Sequence, residues 1–128
     1  MPSHEMKVLP YELAVCRLGA GDDVPDWAMR AGFFSLTRTS DELSIVCPQD
    51  QVTPEVEQEG GWRCLMVSGP LDFNQVGVLA ALAQPLAEAG ISIFAMSTYR
   101  TDYILVREKD LGLAISALRK AGHCIENN

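Results

Sequence analysis

From Trp62 to Glu126 the hydrophobic pattern switches repeatedly between a period of two residues and one near 3.6, and nothing else in the chain restricts its architecture as much. Residues 62–68 (WRCLMVS) predict a strand ended by Gly69-Pro70. Across 74–89 apolar residues recur at Val76, Leu79, Ala83 and Leu86, with Leu82 beside them, which predicts a helix. Gly90 suits the left-handed position after its last turn. Residues 91–99 and 103–107 predict two further strands. The spacing of Leu111, Ala114, Ile115 and Leu118 predicts a second amphipathic helix over 110–121, with Arg119 and Lys120 in the last turn, where the macrodipole favours cations. Gly122 stops it, and 123–126 form a short closing strand.

The resulting β-α-β-β-α-β order is that of a ferredoxin-like α+β fold, two helices over one face of a four-stranded antiparallel sheet. The first half spells a reduced version. Residues 1–10 read as a polar lead-in, 11–18 as a partly buried strand closed by residues 19–23, and 25–29 as one helical turn too short to cover a sheet. Residues 33–39 and 42–47 are strands around a Ser40-Asp41 turn, and 51–61, acidic through Glu55, Glu57 and Glu59, are a helical turn or a connector. Setting residues 37–45 (TRTSDELSI) beneath 98–106 (TYRTDYILV) matches threonine with threonine, serine with threonine and aspartate with aspartate. That agreement supports an internal duplication, with a degenerate copy over 1–61 and a full one over 62–128.

A net charge of −7 opposes binding to nucleic acid or anionic membranes, whose phosphates need a basic face. No run approaches the ~18 apolar residues of a membrane helix, and residues 1–7 lack the apolar stretch of a secretion signal, so a cytoplasmic location is expected. Cys16, Cys47, Cys64 and Cys124 are scattered without any C-x-x-C, and only His4 and His123 could join them. Reduced, buried thiols are expected, with no metal and no cofactor.

Two polar stretches carry the candidate chemistry: Ser68, Gly69, Asp72, Asn74, Gln75, Val76 and Gly77 before the first helix, and Thr98, Tyr99, Thr101 and Asp102 between two strands. If they meet, they form a site for a small zwitterion. Backbone N–H groups over 74–77 would receive a carboxylate at the helix start, with close approach permitted at Gly77, which has no Cβ. Asp72 and Asp102 would receive an ammonium, with Ser68, Asn74, Thr98 and Thr101 as neutral partners and Tyr99 as a lid. Each has a plainer role beside this one. Asp72 or Asn74 would cap the helix, Thr101 and Asp102 would shape a hairpin, and Tyr99 would be an ordinary sheet residue.

The loop from Leu71-Asp72 to Val76-Gly77-Val78-Leu79, the run Leu86-Ala87-Glu88-Ala89-Gly90-Ile91-Ser92-Ile93 and the segment Ser97-Thr98-Tyr99-Arg100-Thr101-Asp102 resemble an ACT domain. The likeness is to the aspartokinase-type tandem branch, to which stand-alone cytosolic arginine sensors are related. It covers 62–126 well and 11–61 loosely, and departs from the family pattern at Val76, where proline often precedes the loop glycine. The resemblance implies a non-catalytic regulatory protein that binds an amino acid, pairs as a homodimer and acts on an unknown protein partner in trans. An ACT-fold scaffold that binds no ligand and mediates only protein contacts is the alternative. An enzyme fits less well: residues 69–76 hold no arginine or lysine for an acylphosphatase-type phosphate site, and no nucleophile-base arrangement can be assembled.

Overall fold

The computed structural model describes residues 3–72 and 74–127, so Met1 and Pro2 of the expected lead-in lie outside the described residues. In chain order the strands are β1 (Glu5–Leu18), β2 (Ser35–Arg38), β3 (Leu43–Pro48), β4 (Glu57–Val67), β5 (Ile93–Ser97), β6 (Asp102–Arg107) and β7 (Cys124–Glu126). The helices are α1 (Val78–Glu88) and α2 (Leu111–Lys120). Two compact units result: unit 1 comprises the chain up to Pro10 and from Arg63 onward, and unit 2 is Tyr11–Trp62.

Unit 1 follows the β-α-β-β-α-β order through β4, α1, β5, β6, α2 and β7. Its sheet runs β7-β1-β4-β6-β5 and so has five strands where four were expected. The extra one is the supposed lead-in. Glu5 and Lys7 face outward while Met6 is 2% exposed, so residues that look polar in aggregate are one half-buried strand of period two. It pairs in parallel with β7, Glu5 opposite Cys124 and Lys7 opposite Glu126, whereas β5 and β6 pair antiparallel.

Both helices pack against this sheet through one core that joins Met6, Leu65, Val67, Ile104 and Val106 to Leu82, Leu86, Ala114 and Leu118. In α1 the buried positions are Val78, Leu82 and Leu86, four residues apart. The expected stripe began two residues early: Val76 precedes the helix and is 93% exposed. Both helices end as the sequence indicates. Gly90 and Gly122 take φ of 76° and 98°, and Ile91 N–H and His123 N–H donate back to the Leu86 and Leu118 carbonyls at 3.0 and 3.1 Å.

In unit 2 the order is β2-β3-β1-β4, with β1 and β2 both antiparallel to β3. Ala14, Cys16, Leu43, Ile45 and Cys47 form its core, and the 3-10 turn Asp26–Met29 lays Ala28 and the half-buried Trp27 against it in place of a helix. The acidic stretch 51–61 is neither helical turn nor connector for its whole length: a 3-10 turn occupies Gln49–Gln51, and β4 already begins at Glu57. Glu57 and Glu59 are therefore strand residues with outward side chains.

The β2–β3 and β5–β6 hairpins close with the same backbone bond, in a register that differs from the alignment of 37–45 with 98–106. Thr39 N–H donates to Glu42 O and Thr98 N–H to Thr101 O, each at 2.9 Å, so Thr39 is the counterpart of Thr98. The shift is two residues. A slip by two leaves the inward and outward alternation of a strand unchanged, which is why the mistaken alignment agreed so well.

Three of the four thiols are buried, as expected, but Cys124 is exposed because it alternates with the inward Ile125 in β7. Burial pushes the Cys64 thiol up to about 12, and contact with the Cys47 thiol together with burial drives Cys16 upward. A disulfide reagent added to the native protein at pH 8 is expected to modify Cys124 rapidly. Cys16, Cys47 and Cys64 should react only after denaturant is added, as absorbance of the released thiolate would show.

Candidate functional site

In unit 1 the loop leaving β4 is pinned to the turn between β5 and β6. Thr101, only 6% exposed, donates its Oγ1–H to the Val67 carbonyl at 2.7 Å, and Leu71 N–H donates to the Arg100 carbonyl at 2.7 Å. Between these bonds lies Gly69, where a Cβ would stand 3.1 Å from the Arg100 carbonyl oxygen and 3.2 Å from Thr101 Cβ. The close approach that needs glycine is thus at Gly69. Gly77 was the expected place, but nothing would lie within 4 Å of a Cβ there, and its φ of 83° is what calls for glycine.

The turn is stiffened by its own threonines. Thr98 Oγ1 donates to the Thr101 carbonyl at 3.2 Å and accepts from Thr101 N–H at 3.4 Å. At its base the Ser97 hydroxyl donates to Asp102 Oδ1 at 2.6 Å, across the last cross-strand pair of the hairpin. On the opposite side Asp72 Oδ1 accepts from Asn74 N–H at 2.9 Å and the Asp72 carbonyl from Gln75 N–H at 3.0 Å, which curls the loop before α1. Neither Asp72 nor Asn74 caps the helix, since Gly77 is the capping residue and contributes no side chain. The reason is the late start of α1: both residues sit too far upstream to reach its first amides.

A cleft of about 360 Å³ lies between loop, turn and helix start, within the range of roughly 300–1,000 Å³ typical of small-molecule sites. Its lining brings together Asp72, Gln75, Gly77, Thr98, Tyr99, Thr101 and Asp102 from the candidate set. Ser68, Gly69, Asn74 and Val76 do not line it. Ser68 N–H is committed to the Glu5 carbonyl at 2.7 Å, Gly69 lies in the seam, and Asn74 and Val76 face outward. Tyr99 projects at the rim and is 82% exposed.

Sequence reasoning missed Leu71, Val78, Leu79, Ala80, Ser97 and Arg100. Residues 78–80 form the first turn of α1, and the first helical bond is made by Ala81 N–H to the Gly77 carbonyl at 2.9 Å. The amides positioned for an anion are therefore those of Val78, Leu79 and Ala80, displaced from the expected 74–77. Gly77 followed by an unbroken apolar helical stripe was the signal that could have placed them. Ser97 could have been found by pairing it with Asp102 across the hairpin. Arg100 is the one cationic side chain among the lining residues, facing a site that also holds two carboxylates.

Thr101→Val should remove the hydroxyl bond to Val67 and cost about 1–3 kcal/mol in urea unfolding. Gly69→Ala should also destabilise, by roughly 1–3 kcal/mol, since the loop and turn must part by a few tenths of an ångström. Gly77→Ala would act through backbone strain instead and should leave the Leu71 to Arg100 bond intact, as amide exchange at Leu71 would reveal.

Comparison with known proteins gives concordant matches. The ACT domain profile matches residues 57–120, and a profile for an N-terminal domain matches residues 11–55. A Bos taurus protein, the cytosolic arginine sensor for mTORC1 subunit 1, is 35% identical over 102 residues, covering 71% of this chain and 31% of its own length. Its Homo sapiens namesake is 40% identical over 60 residues, covering 46% of this chain and 18% of its own. The chain thus spans less than a third of either relative. A crystal structure from Agrobacterium tumefaciens has a TM-score of 0.95 and 38% identity, covering 100% of this chain and 96% of that one. The regulatory subunit of aspartate kinase from Thermus thermophilus, in its ligand-free form, has a TM-score of 0.60 at 12% identity, over 90% of this chain and 97% of that one, a likeness of fold.

Proposed function

The chain belongs to the ACT domain family, and from that premise we propose that it is a non-catalytic regulatory module that binds an amino acid in the cleft of unit 1. The observation that carries this reading is that a single cleft is lined both by residues 78–80, at the N-terminus of α1, and by the carboxylate residues Asp72 and Asp102. A zwitterion presents the complementary pair. Its carboxylate meets the helix N-terminus, where aligned peptide dipoles favour negative charge, and its ammonium meets the carboxylates. Asp102 is held in orientation by the Ser97 hydroxyl through Oδ1, which leaves Oδ2 for the ligand. Asp72 is held likewise by Asn74 N–H.

Charge-assisted hydrogen bonds contribute on the order of 1.5–3 kcal/mol each, so three or four suffice for the ~8 kcal/mol of micromolar binding. Regulation by binding needs no more. The name of the bovine relative makes L-arginine the first ligand to try. The module acts in the cytosol, as a homodimer, on a protein partner in trans; no helix among the described residues is long and apolar enough to cross a membrane.

A thermal-shift screen of the twenty amino acids is expected to find at least one stabilising ligand, adding about 2.7 kcal/mol at 100 times its dissociation constant. Asp102→Asn keeps the shape of the side chain and removes its charge, and should weaken that ligand roughly tenfold to a hundredfold. Absence of any shift in protein freed of carried-over ligand, together with a partner captured equally well by wild type and Asp102→Asn, would favour the scaffold reading.

A further inference from the structure

Unit 2 repeats the loop-and-turn arrangement of unit 1 with one difference of consequence. Arg38 opposite Leu43 is the last pair of the β2–β3 hairpin, as Ser97 opposite Asp102 is the last pair of β5–β6, and each precedes a four-residue turn closed by the same backbone bond. Arg38 and Ser97 are therefore counterparts. Ser97 is short and reaches only across the hairpin to Asp102, so the space between turn and loop stays open as the cleft. Arg38 is long and crosses that gap. Its guanidinium donates through one nitrogen to the Ala20 carbonyl and through another to the Asp22 carbonyl, the latter at 2.7 Å, both in the loop leaving β1.

That loop is shaped to present carbonyls. Asp22 N–H donates to the Gly19 carbonyl at 3.0 Å, and Gly19 N–H donates to Asp22 Oδ2 at 2.8 Å, so the amides are turned into the loop and two carbonyl oxygens out of it. A planar fork of N–H donors matches two such acceptors, which a single ammonium does not. A neighbouring depression lined by Asp22, Asp41, Glu55 and Glu57, with Arg17 as its cation, keeps the surroundings acidic.

We propose that Arg38 is the resident occupant of a guanidinium-binding cradle in unit 2, at the place that corresponds to the unit 1 cleft, and that it shields the Ala20 and Asp22 carbonyls from external guanidinium groups. The cradle does not rest on the amino-acid reading of unit 1.

The test is an amide NMR titration of the full chain with methylguanidinium chloride at constant ionic strength, methylammonium chloride serving as control. In Arg38→Ala, saturable shifts are expected at Gly19, Ala20, Gly21, Asp22 and Thr39, at least tenfold weaker with methylammonium, and absent from wild type. Arg38→Lys should respond at the same amides but at higher concentration. Absence of saturable shifts in both variants, or equal shifts in wild type, would overturn the cradle. Failure of wild type to bind any amino acid in unit 1 would sink the earlier reading and leave this titration unaffected.

Discussion

The bond from the Thr101 hydroxyl to the Val67 carbonyl, with the one from Leu71 N–H to the Arg100 carbonyl, sets the geometry on which the rest of the site depends. Val67 ends a strand that sends its own side chain and that of Leu65 into the core, and Thr101 is itself nearly inaccessible. The two bonds therefore transfer the rigidity of the packed sheet to a loop and a turn that lie at the surface. Within such a frame Asp72, Asp102 and the first turn of α1 line one cleft.

Most of the fold was legible because burial on one face writes a period into the chain. The apolar runs at 62–68 and 103–107 and the stripe at Leu82, Leu86, Ala114 and Leu118 are direct consequences of sheet and helix packing. The glycines after both helices were equally plain, since only a left-handed residue closes those turns without strain. The start of the chain was read wrongly because two of its polar residues, Glu5 and Lys7, are outward positions of a strand whose inward residue between them is Met6. Composition concealed what alternation would have shown. The acidic lead of β4 was misread for the same reason.

The site was half legible. Residue types identified the two polar segments, and Thr98, Thr101, Asp72 and Asp102 do converge. The helix start could not be placed to better than a turn, because Val76 continues the apolar spacing of the helix without belonging to it. That error moved the anion-facing amides from 78–80 to 74–77. The two-residue slip between the copies has a related origin: strand periodicity cannot distinguish registers that differ by two, and only the backbone bonds of the turns do. With the correct register Ser97 and Arg38 become counterparts, and the difference between an open cleft and a filled one reduces to the length of one side chain.

The seam between β1 and β7 bears on how the protein is made. His4 N–H donates to His123 Nδ1 across 119 positions of sequence, and the strand that follows each histidine lies beside the other in parallel. During translation the opening strand thus waits, one edge bare, until the segment that flanks it has cleared the ribosome. Nascent chains would have to keep Met6, Val8 and Leu9 from adhering to neighbours throughout that interval, and the charges of Glu5 and Lys7 on either side of Met6 suit a segment held so long in suspense.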